Sequence, residues 1–262
     1  MTKKRVLQSY GKLPLYFIEN RGQVDKEVLF YAKLSNQTIY FTRDRVVFDL
    51  IRRQEAKGRK REPEKQGTAD KRQQTAERLV FSLLIKGAGK GASVKGVDKQ
   101  KHRANYFVGK KDNWKTSIAT YRGIIYKEIY KGIDLKVYGS ERALEYDFVV
   151  HPGADPKKIR LAYVGIKGLR VNEKGELIIQ TPFGDLKESR PHAYQMIDGK
   201  KVKVEAEFRL EKGDSKPATR DAQAVNRQSK TMYGFKVASH NPAHPLIIDP
   251  IIYCSAFLPL MP

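Results

Sequence analysis

The amino-acid sequence predicts an all-β fold, an antiparallel β-sandwich-type domain with long polar loops, and three observations carry that reading. Apolar and polar residues alternate with period two in short runs: Leu144, Tyr146, Phe148 and Val150 against Glu145, Asp147 and Val149. Turn signals such as His151-Pro152-Gly153 and Asp198-Gly199 recur at roughly 8–12-residue intervals, the spacing of strands in sandwiches. Tyr (14) and Phe (11) dominate the aromatic residues, which suits half-buried pleated surfaces. At 262 residues, one large β domain or two packed sub-sandwiches are both possible.

In chain order, residues 1–12 form a polar lead and the domain spans 13–253. Leu13 to Ile18 is an apolar run that Pro14 marks as an edge or a strand start, and Gly22 in Glu19-Asn20-Arg21-Gly22-Gln23 supplies a turn. Val28, Phe30 and Ala32 alternate into a strand; Thr38–Phe41 and Val46–Ile51 form a hairpin around Thr42-Arg43-Asp44-Arg45. From Arg52 to Arg78 the chain turns polar and basic, and it cannot bury enough apolar area to offset its ordering entropy. The prediction is a mobile insertion at 52–78 between two neighbouring strands, the second being Leu79–Ile85. Lys86–Asp98 reads as a Gly- and Lys-rich hairpin loop, and Asn105–Gly109 as a short strand, with Trp114 packed over the following turn. Asp155-Pro156 starts a single helical turn before Ile159, Leu161 and Tyr163 resume alternation. Ala193–Ile197 and Val202–Leu210 flank Asp198-Gly199, a type I′ hairpin signal. A second polar loop at 211–230 precedes closing strands at Met232–Val237 and Leu246–Tyr253.

The charge balance is 51 Lys+Arg to 29 Asp+Glu, a formal +22, which favours solubility and attraction to polyanions without bearing on fold. The excess spreads over loops and strand faces, ten basic against two acidic residues between Lys86 and Arg122. The single cysteine, Cys254, excludes an intramolecular disulfide framework and reads as a small apolar filler. No apolar run approaches the 18 residues of a membrane span, and the basic start has no apolar region of signal-peptide length.

No reaction can be read from the residues. The glycine-rich stretch misses the Walker pattern because Ala92-Ser93 follows Gly91, and Gly87-Ala88-Gly89 has alanine where G-x-G-x-x-G needs its last glycine. His102 lies within the basic–aromatic run below; His151, His192 and His244 sit beside prolines in loops. His240 and His244 are four apart, but Pro242 forbids a helical metal pair. Asp134 and Asp249 are expected to set turns by Asx-type bonding. Glu145 and Asp147 share a strand face at a separation where paired carboxylates can act as acid and base, although a solvated strand face looks the same. Lys101 to Phe107 interleaves basic residues with aromatics, loosely like a stacking platform, but the RNP1 pattern is absent.

Four phrases in order, LPLYFIENRGQVDKEVLFYA (13–32), NYFVGKKDNWKTSIATYRGIIYKEIYKGIDLKVYG (105–139), LEYDFVVHPGADPKKIRLAYVG (144–165) and HPLIIDPIIYCSAFL (244–258), resemble the N-terminal domain of bacterial surface and secreted proteins carrying SBBP repeats, the β-propeller repeats. The resemblance implies a non-catalytic all-β module at the cell surface or outside the cell. Its partners would be propeller repeats of the same or a neighbouring polypeptide. It carries over no site residues. The chain departs from the pattern by lacking a signal peptide and by having Pro259-Leu260-Met261-Pro262 where glycines lead into the repeats, so 254–262 reads as the truncated beginning of a repeat. The expectation is therefore a module with a structural, adhesive or interaction role, with no catalytic residue, cofactor or metal. The alternative is a binder of anionic polymers, nucleic acid or acidic polysaccharide. A weaker alternative is a carbohydrate-active enzyme using Glu145 and Asp147.

Overall fold

Alternating apolar runs leave each strand with one face to bury, and in this chain nearly all of those faces converge on one core. The computed structural model describes residues 15–34, 36–54, 75–89, 91–139, 143–212 and 231–253. Its strands are β1 (Phe17–Glu19), β2 (Phe30–Lys33), β3 (Gln37–Phe41), β4 (Arg45–Gln54), β5 (Thr75–Ile85), β6 (Ser93–Tyr106), β7 (Lys115–Tyr130), β8 (Ile133–Gly139), β9 (Ala143–Val150), β10 (Leu161–Val164), β11 (Gly168–Val171), β12 (Leu177–Thr181), β13 (Gly184–Glu188), β14 (His192–Ile197), β15 (Lys200–Val204), β16 (Ala206–Lys212), β17 (Thr231–Val237), β18 (Leu246–Asp249) and β19 (Ile251–Tyr253). Two single 3-10 turns, Lys111–Asn113 and Pro156–Lys158, interrupt them, the second capped by the Asp155 side chain.

All pairings among the described residues are antiparallel, and β7 is their spine. One edge of β7 carries β6. The other is shared end to end by β1, at Thr120 and Tyr121, and by β8, from Gly123 onward. From β1 the ladder continues through β2, β3, β4, β5, β10 and β17 to β16. From β8 it passes to β9, whose far edge takes β18 and then β19. β18 leads on to β14 and β15, and β19 to β13, β12 and β11.

The two arms curl toward each other into a nearly closed, barrel-like sheet. Between them lies one hydrophobic cluster, where Val46, Phe48 and Leu83 of one arm meet Leu135, Val137 and Tyr146 of the other. The space left there is about 20 Å³, about enough for one water molecule, so the interior is close-packed. Phe48 stacks on Phe81 at 4.7 Å and Tyr163 on Tyr233 at 5.9 Å, contacts that contribute about 1 kcal/mol each beyond area burial. Leu144, Tyr146, Phe148 and Val150 are all buried, as alternation predicts. The Asp198-Gly199 turn has φ of 50° and 75°, the positive pair a type I′ turn requires.

Three local features differ from the sequence reading. The β4–β5 ladder runs to the Gln54↔Thr75 pair, so the margins of the 52–78 insertion are strand. β6 is a 14-residue strand that begins inside the supposed loop; register shifts near Lys99–Arg103 and Ala104–Tyr106 break its alternation and hid it. Gly96 is required there, because a Cβ would lie 2.4 Å from the Tyr121 ring. The third is the 193–210 hairpin: the chain leaves β14 at Val204 and joins β17 from Ala206, so Val202 and Leu210 stay exposed. Readings that concern residues 1–14, 55–74, 213–230 and 254–262, including Cys254, lie outside the described residues.

The turn after β1 is built on one side chain. Asn20 Oδ1 accepts from the N–H groups of Gly22 (3.0 Å) and Gln23 (3.2 Å), while its Nδ2 donates to the carbonyls of Asp25 and Val28, each at 2.8 Å. The asparagine in Glu19-Asn20-Arg21-Gly22-Gln23 thus holds a loop of nine residues.

Candidate functional site

The β6–β7 ribbon projects cations that nothing in the described protein neutralises. Lys95, Lys99, Lys101 and Arg103 on β6 are exposed, as are Lys110 and Lys111 at its tip. Eleven ion pairs join described residues, and none includes a residue between Arg78 and Lys127. The tip also exposes apolar surface. Phe107 is 60% and Val108 72% exposed, and Phe107 meets Trp114 edge to face at 4.9 Å. Asn105 Oδ1 accepts from the Ser117 N–H at 2.8 Å, fixing the crossing of the two strands just below the tip. His102 turns its ring onto Tyr16 at 4.2 Å and its carbonyl accepts from Thr120 Oγ1, so it serves the base of the ribbon.

The carboxylate pair predicted on β9 has a different partner. Glu145 and Asp147 share the outer face, about 7 Å apart by strand geometry. Across the ladder, however, Asp147 lies in a row with Lys136, Asp249 and His192. Tyr138 Oη donates to Asp147 Oδ1 at 2.9 Å. Burial, with the Asp249 charge adding, pushes the Asp147 carboxyl up to about 6. Burial also raises Asp249, against the pull of His192 and Lys201. Both acids move the same way, so their surroundings do not divide them into an acid and a base.

Asp134 and Asp249 are corrections to the Asx-turn expectation. Asp134, inside β8, is 2% exposed and accepts from Lys127 Nζ (2.6 Å), the Glu128 N–H (2.8 Å) and His151 Nε2 (3.1 Å). It pins the bulge in β7 where Glu128 takes a φ of 53°. The Asp249 Oδ1 is buried without a hydrogen-bond partner. Of the other histidines, His240 bonds the Ala238 carbonyl, and the His244 carbonyl accepts from Gln195 Nε2. No group of three or more metal-ligating side chains forms among the described residues.

Sequence reasoning missed Glu188. It is fully buried on β13 and accepts hydrogen bonds from three phenols: Tyr163 (2.6 Å), Tyr146 (2.8 Å) and Tyr233 (3.0 Å). Burial lifts its carboxyl above the usual range, while the three donors work against that lift. Its signal was the continuation of the inward phase two residues beyond Leu186. The cluster joins β13, β9, β10 and β17, and therefore both arms of the sheet.

The chain belongs to the family described as a domain of unknown function (DUF7948), whose model matches residues 17–251. No curated protein and no solved structure matches it.

Proposed function

We propose that this domain is a non-catalytic interaction module that binds anionic polymers through the β6–β7 ribbon. The supporting observation is that no ion pair among the described residues reaches β6, the ribbon tip or β7 before Lys127. Lysines on an edge strand also discourage edge-to-edge pairing, and this accounts for charge along β6. It does not account for Phe107, Val108 and Trp114 exposed beside Lys110 and Lys111 at the tip. Cations flanking aromatic faces suit a charged chain whose sugars or bases can lie on the rings.

The wider role in this proposal is adhesive or structural, at the cell surface, ahead of propeller repeats. That context rests on the four sequence phrases quoted above, and reading the flanking DNA for a signal sequence and repeats tests it. The binding itself is tested by chromatography of the full chain on heparin and on single-stranded DNA resins. The expected result is retention at low salt and elution at moderate salt on at least one of them. Flow-through on both at low salt would contradict the proposal.

A further inference from the structure

At the opposite end of β7 from the ribbon tip, roughly 50 Å away by strand rise, three connections converge on a concavity of about 400 Å³. Lys86, Gly87 and Gly89 come from the β5–β6 connection, Tyr130 from the end of β7, Lys131 from the β7–β8 turn, and Lys158 and Arg160 from the β9–β10 connection. Four cationic side chains thus line one hollow whose lining holds no carboxylate. Only Arg160 has an acidic partner: Glu211 Oε2 accepts from its Nη2 at 3.0 Å. Lys86, Lys131 and Lys158 take part in no ion pair among the described residues.

The hollow is held by main-chain and phenol bonds rather than by its charges. The Lys86 N–H donates to the Arg160 carbonyl at 2.8 Å, and the Gly89 N–H to the Ile129 carbonyl at 2.8 Å. Tyr130 Oη donates to the Arg160 carbonyl (3.0 Å) and accepts from the Arg160 N–H (3.2 Å). Gly132 is required because a Cβ would lie 2.8 Å from that of Ala154, and Gly87 because its φ is 76°. Converging like charges repel, and a rigid backbone that keeps them together favours whatever anion enters.

We infer that this hollow is a second binding site, one that seats a single tetrahedral oxyanion: sulfate or phosphate, free or carried on a polymer. It deepens the polyanion reading and rests on it only for the source of the oxyanion. Titrating inorganic sulfate and inorganic phosphate into the ¹⁵N-labelled chain tests it. The expected result is saturable shifts of the Gly87, Gly89 and Lys131 amides, lost in a Lys131→Glu, Lys158→Glu variant and kept in a Lys99→Glu, Lys101→Glu, Arg103→Glu variant. Absent or non-saturating shifts overturn the site even if heparin retention stands, as do shifts unchanged in the Lys131, Lys158 variant. Saturable shifts in a protein that ignores heparin and DNA uphold the site for a free anion while the polymer reading fails. A polymer that displaces the inorganic ion, sulfated polysaccharide or oligonucleotide, identifies the carrier.

Discussion

The β4–β5 ladder and the β6–β7 ribbon are both two-stranded, antiparallel and rich in Lys and Arg, yet they use that charge in opposite ways. On β4–β5, Arg45, Arg52 and Arg78 each have an acidic partner. Arg78 holds Asp49 with two bonds of 2.8 Å. Arg52 bonds Glu77 and lies over the Phe183 ring at 4.4 Å. Beneath them Phe48 stacks on Phe81 and the strands enter the core. On β6 and at the ribbon tip the cations are exposed and enter no ion pair among the described residues, and the tip exposes its rings. A formal +22 therefore says little by itself; pairing decides which cations remain for a partner.

The variant with the largest expected effect separates folding from binding. Glu188→Ala leaves three buried phenols without their acceptor and should destabilise the protein by about 3 kcal/mol or more in urea unfolding. The folded fraction should still bind heparin, because the ribbon is remote from the cluster. A loss below about 1 kcal/mol would show that the tyrosines satisfy one another.

The reverse result is expected of Lys99→Glu, Lys101→Glu, Arg103→Glu. At low salt its affinity for the retained polymer should fall on the order of 100-fold, with stability within about 0.5 kcal/mol of the parent. Equal binding would place the interaction elsewhere.

A pH-dependent variant probes the packed, acidic face of β8–β9–β18–β14. Native Asp147 titrates near 6, above its value of about 4 in an unfolded chain. The native state then holds more protons between those values, and stability falls as pH rises through the window. Asp147→Asn keeps an acceptor for Tyr138 and removes that loss. The expected gain is about 1 kcal/mol at pH 7 once solvent screening is allowed for, vanishing near pH 4. A gain independent of pH would remove burial of the charge as its cause. The smallest effect should come from Phe107→Ala, a several-fold loss of affinity without change of stability, since the ring is largely outside the core.

How much of this was legible in the sequence follows from burial. β9 could be read residue by residue because Tyr146 and Phe148 face a core while Glu145 and Asp147 face outward. β6 could not, because a strand exposed on most positions and broken by two register shifts carries no period-two signal. The Lys101–Phe107 run was visible as composition; that its cations lack partners depends on which acids the ladders place opposite, and strand pairing is non-local. Glu188 was hidden for the same reason, its three tyrosines coming from positions 146, 163 and 233. Asp249 was read as a turn former, and only the ladder shows it beside Asp147.

The most direct test of the account is the salt dependence of single-stranded DNA or heparin binding for two triple variants of equal charge. One is Lys99→Gln, Lys101→Gln, Arg103→Gln, all unpaired; the other is Arg52→Gln, Arg190→Gln, Lys236→Gln, all paired. The account predicts that the slope of log K against log salt on single-stranded DNA weakens by about 2 in the first and stays at the parent value in the second. Equal weakening in both would mean that net charge alone governs binding, and the β6–β7 ribbon would lose its claim to be the site.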